Sequence, residues 1–372
     1  MEVPLLDLKR QNFSLENEFK TAFEIVFKSG QYILGPAVES FEKDCAHYLD
    51  VKNVIGVSSG TDALLLALMA LGVGPGDEVI CPTFTFFATA GVIWRVGAKP
   101  IFVDIDPQTF NCDPVDIKNK ITSKTKAIIP VHLFGQCADM DTIMEIAHSK
   151  GLWVIEDAAQ AFGARYHEKC AGTLGTIGCF SFFPSKNLGG FGDAGCVVTH
   201  DNALAEKMKV LRVHGSKPKY YHSVVGGNFR IDTIQAALLQ IKLKHLDSYA
   251  LKRQANAKQY DQFFDQNTSL PIEKPFVRDH RHIYNQYVIR VKNGLRNKLQ
   301  SYLKEKGIGT EVYYPIPMHL LECFKGLGHK KGDFPNAGLA CDEVLAIPIF
   351  PELTQEEIAY VCKSIQEFSY KI

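Results

Sequence analysis

The chain has 372 residues, long for one compact core, so two unequal domains or a large domain with a smaller appendage are expected. Its 46% hydrophobic and 22% charged residues place it among globular rather than disordered chains. Lys plus Arg and Asp plus Glu balance at 41 each, so no global field draws it to nucleic acid or to an anionic membrane.

The N-terminus, MEVPLLDLKRQ, has an acidic second residue, a short apolar stretch and charges directly after it, which is not the layout of a secretory signal. No run approaches the roughly 18 consecutive apolar residues that a membrane helix needs. Ten cysteines are scattered without a Cys-x-x-Cys pair or regular spacing, which argues against a zinc site or a disulfide framework. They read as small buried apolar residues in a reducing compartment, with the cytoplasm as the setting.

In chain order, Pro36 marks a helix start, with Val38, Phe41, Cys45 and Tyr48 as one apolar stripe. Apolar β runs then alternate with helical ones: NVIGV (53–57), TDALLLALMAL (61–71), EVICP (78–82), TFFATAGVIWRVG (85–97) and KPIFVDI (99–105). KAIIPVHLF (126–134), MDTIMEIAHSKG (140–151) and LWVIEDA (152–158) continue the pattern, and GCFSFF (178–183) and AGCVVTH (194–200) extend it. Strands this apolar are buried on both faces, which predicts an α/β domain with a largely parallel sheet. Beyond residue 230 a helical stretch too long to run unbent carries the chain into a smaller domain holding YNQYVIRV (284–291) and YYPIPMH (313–319). The expected division is residues 1–245 and 246–372.

Three constellations carry chemistry. Ser58-Ser59-Gly60-Thr61-Asp62-Ala63 puts small residues at a helix N-terminus, where free N–H groups receive an anion; an ordinary N-cap has the same look. Glu156-Asp157-Ala158-Ala159-Gln160 ends a buried strand, where ligands of open α/β sheets collect; a strand-ending turn is the plain alternative. Ser181-Phe182-Phe183-Pro184-Ser185-Lys186 precedes Asn187-Leu188-Gly189-Gly190, and the glycines suggest close backbone approach around Lys186; a solvated charge is the commoner fate of a lysine. GVGPGD (72–77) lacks the G-x-G-x-x-G spacing of a dinucleotide site and reads as a turn. Together, an anion cradle, a carboxylate and an amine suit pyridoxal phosphate, which needs a phosphate site, a partner for its pyridine nitrogen and an amine for a Schiff base.

EDAAQ, the lysine of SFFPSKNLG, SSGTDAL upstream and GGNFRIDTIQAA downstream resemble the DegT/DnrJ/EryC1/StrS family of sugar aminotransferases. The likeness runs from GQYILGP (30–36) to YYPIPMH (313–319). It implies an aspartate-aminotransferase-like fold, type I among pyridoxal-phosphate enzymes, with a large domain and a smaller C-terminal α/β domain. It also implies roles. Lys186 holds the cofactor covalently and then shuttles the proton, and Asp157 keeps the pyridine nitrogen protonated. Gln160 bonds the ring hydroxyl region and Phe86 stacks on the ring, although a plain core aromatic is the commoner fate of such a residue. Gly60, Thr61 and Ser181 hold the phosphate. Asn228 reaches the phosphate of a neighbouring subunit's cofactor, which makes the enzyme a homodimer with shared sites. Arg230 faces an anionic substrate group or makes a surface ion pair.

By the same resemblance the donor is L-glutamate, pyridoxamine phosphate is the intermediate, and the acceptor is a nucleotide-linked keto sugar. GQYILGP, FGQCADMD, SFFPSK, RIDTIQAALL and YPIPMH resemble the branch acting on 3-keto UDP-N-acetylhexosamines, including their uronic acids, for surface polysaccharide or lipid A. Relatives acting on uronates carry His where this chain has Tyr313; Tyr313, Tyr314 and His319 are candidate substrate residues or packing residues. The alternatives are a dTDP-linked 3-keto or a 4-keto 6-deoxy sugar, a dehydratase (relatives of that kind have His in place of the lysine) and a pyridoxal-phosphate-binding regulator. His132, His214 and His319 lie near the motifs and read as satisfied structural histidines.

Overall fold

The computed structural model describes residues 1–278 and 281–369. Two helices, Leu8–Phe13 (α1) and Glu16–Ser29 (α2), come first, and Gly30 ends α2 in the left-handed region at φ 65°. Pro36–Leu49 (α3) has its proline in the first turn, where no N–H is missed, and buries Val38, Phe41, Cys45 and Leu49. Tyr48, expected in that stripe, is only half-buried and donates from its hydroxyl to Asp247 at 2.9 Å.

Strands and helices then alternate: Asn53–Val57 (β1), Gly60–Ala70 (α4), Glu78–Pro82 (β2), Ala88–Arg95 (α5), Lys99–Val103 (β3), Pro114–Lys120 (α6), Thr125–Ile128 (β4), Met140–Lys150 (α7) and Trp153–Asp157 (β5). A small hairpin of Arg165–Tyr166 (β6) and Lys169–Cys170 (β7) precedes Ile177–Ser181 (β8), Gly195–Thr199 (β9) and Asn202–Leu211 (α8). The large sheet has the order β1-β9-β8-β5-β4-β2-β3. It is mixed but mostly parallel: β9 runs antiparallel to both neighbours, and every other pair is parallel. Both faces are covered by buried apolar residues, which is why these strands read as unbroken hydrophobic runs rather than alternating ones.

The long helical stretch breaks at Lys244–His245 into Thr233–Leu243 (α9) and Leu246–Gln266 (α10). The remainder forms Ile272–Glu273 (β10), Tyr287–Val291 (β11), Arg296–Glu305 (α11), Pro335–Glu343 (α12), Val344–Ile347 (β12) and Gln355–Ser369 (α13). The antiparallel sheet β10-β11-β12 has its own core around Tyr260, Tyr287, Leu299, Phe350 and Ile365, and Val3 returns to it from the N-terminus. Residues 318–341 leave that sheet and pack on the large one through Met318, Phe324, Phe334 and Ala337. All ten cysteines are free thiols, and only Cys323 is exposed. Among the described residues no helix is long and apolar enough to cross a membrane, and no cluster of His, Cys, Asp and Glu could hold a metal.

Candidate active site

Because β2, β4, β5 and β8 are parallel, their carboxyl ends share one edge of the sheet, and the loops that leave them meet there. Asp157 is the last residue of β5 and is buried. The Thr89 hydroxyl donates to its Oδ2 at 2.7 Å and the Ala159 N–H to its Oδ1 at 3.2 Å. Burial pushes the Asp157 carboxyl up; the Thr89 hydroxyl, the Ala159 N–H and the Lys186 charge pull it back.

Lys186 follows β8 on a loop curled so tightly that a side chain on Gly189 would strike the Pro184 carbonyl. The Lys186 N–H donates to the Phe183 carbonyl at 2.8 Å, and Lys242, fully buried, donates from Nζ to the Gly189 carbonyl at 2.7 Å. Desolvation lowers the Lys186 amine to about 8, and the Asp157 charge acts against that shift. Lys186 and Asp157 therefore sense each other electrostatically across the site.

At the N-terminus of α4, Ser59 caps the helix by accepting from the Asp62 N–H at 3.0 Å. The first N–H groups, on Gly60 and Thr61, have no carbonyl four residues back in the helix to bond. A Cβ on Gly60 would stand 2.7 Å from the Ser181 Cβ, so the two segments approach as closely as a missing side chain allows. Gly60, Thr61 and Ser181 are thereby gathered into one cradle with the positive end of the helix toward it.

Gln160 is buried, with Oε1 accepting from the Phe134 N–H at 2.6 Å and Nε2 donating to the Tyr314 hydroxyl at 3.2 Å. Phe86 is 58% exposed and so is not a core aromatic. Its ring lies 6.4 Å from that of Tyr314. Tyr313 borders a small cavity beside Ser185, next to Lys186 in the chain. Asn228 and Arg230 line a separate cleft of ≈ 430 Å³ with Ser58, Asp193 and Gln235. Asn228 is exposed, and Arg230 Nε is buried with no hydrogen-bond partner among the described residues.

His319 stands apart from all of these. Its ring Nδ1 is 2.8 Å from the Thr83 hydroxyl, its N–H donates to the same oxygen at 3.1 Å, and its ring packs on Phe334. The sequence motifs also missed Thr89. Thr85 and Thr89, four residues apart in the TFFAT stretch, were the available signal, and their hydroxyls lie 3.3 Å apart.

The donor set fits pyridoxal phosphate on this structure's own terms. The cradle is open only because residue 60 is glycine, Asp157 is a buried carboxylate, and Lys186 is an amine that desolvation brings down to about 8. Fold and site thus define a pyridoxal-phosphate-dependent aminotransferase of the aspartate-aminotransferase-like architecture. The chain belongs to the DegT/DnrJ/EryC1/StrS aminotransferase family, which it matches over residues 14–366.

Among its relatives, a pleiotropic regulatory protein of Geobacillus stearothermophilus is 52% identical over 99% of each chain. The UDP-2-acetamido-2-deoxy-3-oxo-D-glucuronate aminotransferase of Pseudomonas aeruginosa is 42% identical, covering 98% of this chain and 99% of its own. The dTDP-3-amino-3,4,6-trideoxy-alpha-D-glucose transaminase of Streptomyces venezuelae is 40% identical, covering 100% and 97%. Two solved structures superpose closely. DesV of S. venezuelae, in complex with a ketimine intermediate, has a TM-score of 0.96 at 40% identity over 100% of this chain and 99% of its own. The Bacillus subtilis protein ntda, with bound PMP cofactor, has a TM-score of 0.91 at 35% identity over 98% and 85%.

Proposed function

We propose that this enzyme moves an amino group from L-glutamate to carbon 3 of a UDP-linked 3-keto sugar, a 2-acetamido hexose or its uronic acid, for surface polysaccharide or lipid A. The observation that carries the reading is the Lys186–Asp157 pair in a chain several of whose relatives, by their names, work at carbon 3 of the sugar. A second reading, a dTDP-linked 3-keto sugar, is favoured by the S. venezuelae relative at nearly the same identity.

The geometry supports the following roles. Pyridoxal phosphate supplies an electron sink for charge that develops at the carbon bearing the amine. Lys186, with an amine brought down to about 8, is neutral often enough near that pH to attack as a nucleophile and to take a proton from the α carbon of the amino acid. Asp157, held by Thr89, gives the protonated ring nitrogen its counter-charge. The N–H groups of Gly60 and Thr61, with the hydroxyls of Thr61 and Ser181, receive the phosphate. Phe86 offers an exposed ring for stacking, and Gln160 holds its amide beside it through Tyr314. Arg230 binds an anionic group of the substrate, and Tyr313 and Tyr314 border its sugar; His319, bonded to Thr83, is a packing residue.

The proposal includes a homodimer with shared sites. Phe13, Phe23, Ile25 and Phe27 on the N-terminal helices and Tyr220, Tyr221 and Val225 on the loop before Asn228 are all more than half exposed, a large apolar surface for a lone chain. A large domain of residues 1–245, a small one of 246–372 and a cytoplasmic setting complete it; the break between α9 and α10 and ten unpaired thiols support these points.

The test is product analysis with L-glutamate and four acceptors: 3-keto and 4-keto sugars, each as UDP and dTDP conjugates. Conversion of the UDP 3-keto sugar in preference to the others supports the proposal. Preference for the dTDP 3-keto sugar establishes the second reading, and preference for a 4-keto sugar overturns both.

A further inference from the structure

Glu156 and Asp157 are adjacent on β5, so their side chains leave opposite faces of the sheet. Asp157 faces the site, whereas Glu156 is fully buried on the other side. The Glu156 carboxylate accepts four hydrogen bonds. The His132 ring at 2.8 Å and the Gly172 N–H at 2.7 Å meet Oε2, and the N–H groups of Leu174 at 2.7 Å and Gly175 at 2.5 Å meet Oε1. Four donors fill the acceptor capacity of a carboxylate, so Glu156 has no free lone pair for chemistry.

His132 is equally committed. Its Nδ1 accepts from the Ala138 N–H at 3.1 Å, which puts the ring proton on Nε2, where it meets Glu156. Its main-chain N–H donates to the Asp157 carbonyl at 3.0 Å, and the Asp157 N–H donates to the Pro130 carbonyl at 2.9 Å. One residue thus grips β5 twice, by its ring on Glu156 and by its backbone on Asp157. Thr89 holds the carboxylate of Asp157, and this clamp holds the peptide that carries it.

We infer that His132 and Glu156 are positioning residues, which fix the direction in which Asp157 presents its carboxylate to the cofactor's ring nitrogen. The inference rests on the proposed pairing of Asp157 with that nitrogen. The two residues act behind the site, as outer-shell partners do behind metal ligands.

The experiment uses the holoenzyme and its His132→Ala, His132→Gln and Glu156→Gln variants, with fold checked by circular dichroism. The readouts are the cofactor dissociation constant and the pH midpoint of the visible cofactor band. In folded His132→Ala, the dissociation constant rises by about tenfold or more, the scale on which outer-shell partners act, and the midpoint moves. His132→Gln, which keeps a donor, recovers part of both, and Glu156→Gln moves the midpoint in the same direction as His132→Ala. An unmoved midpoint in folded, cofactor-saturated His132→Ala overturns the inference, since a clamp serving only the fold would not touch the bound ring.

Should the variants not fold, ring-15N histidine spectra of the native holoenzyme decide the matter. A neutral His132 protonated on Nε2 supports the clamp, and an Nδ1-protonated or charged ring overturns it. A folded Asp157→Ala protein that binds cofactor with native affinity and an unmoved midpoint would instead sink the placement of Asp157, and the clamp's role with it.

Discussion

The hydroxyl of Thr89 donates a 2.7 Å hydrogen bond to Oδ2 of Asp157, and both side chains are buried. This bond orients the carboxylate, and it favours the ionised form that the proposed pairing with a protonated ring nitrogen needs. Thr89→Val keeps the shape and removes the donor. A hydrogen bond to a charged group is worth about 1.5–3 kcal/mol, so kcat/KM should fall by roughly 10- to 100-fold with little change in fold. Steady-state kinetics beside a thermal melt make the check, and unchanged kinetics would remove Thr89 from the site.

Lys186 makes the pH behaviour specific. Its amine sits at about 8 against an ordinary 10.5, so the rate at which apoenzyme captures pyridoxal phosphate should climb with pH and level off above about 8. Stability follows the same shift. Between these two values the folded chain binds fewer protons than the unfolded chain, so stability rises with pH across that window, and the penalty is complete below it. Lys242, also brought down to about 8 by burial, acts in the same direction. Denaturant melts of apoenzyme from pH 7 to pH 10 should therefore flatten in Lys186→Met and, separately, in Lys242→Met. A slope untouched by both substitutions would refute the assignment.

Gly60 is required by distance, not by backbone angle. Gly60→Ala places a methyl 2.7 Å from the Ser181 Cβ, and the cradle must open to admit it. Overpacking of this kind costs about 1–3 kcal/mol, and cofactor affinity should drop by about tenfold or more. Fluorescence titration of the apoenzyme measures this, and undiminished affinity would move the phosphate elsewhere.

Phe86 separates binding from folding. Its ring is largely exposed, so Phe86→Ala should leave stability within about 0.5 kcal/mol. Loss of a stacking partner worth about 0.5–1.5 kcal/mol should weaken cofactor binding several-fold. A large drop in melting temperature without loss of affinity would make Phe86 a packing residue after all.

Much of this was legible in the sequence because buried parallel strands read as unbroken apolar runs, and because Gly60, Asp157 and Lys186 each sit where such a strand gives way to a loop or helix. The antiparallel setting of β9 was not legible, since AGCVVTH is as apolar as its parallel neighbours and direction leaves no mark on composition. Tyr48 looked like a stripe residue because a half-buried tyrosine has the same helical phase as a buried one; its hydroxyl goes to Asp247. His319 lies in a segment adjoining the YYPIP loop, yet the return of residues 318–341 to the large sheet carries it to Thr83. The grip of His132 on Glu156 joins residues on two different strand ends, a proximity that only the sheet order creates.

The visible spectrum of the holoenzyme, followed through both half-reactions, tests the function of Lys186 most directly. Purified protein should show a visible cofactor band that bleaches on addition of L-glutamate alone and returns on addition of a UDP-linked 3-keto sugar, and Lys186→Ala should show neither change at a comparable rate. A native spectrum indifferent to glutamate and to every keto sugar, or a Lys186→Ala protein that cycles like the native one, would contradict it.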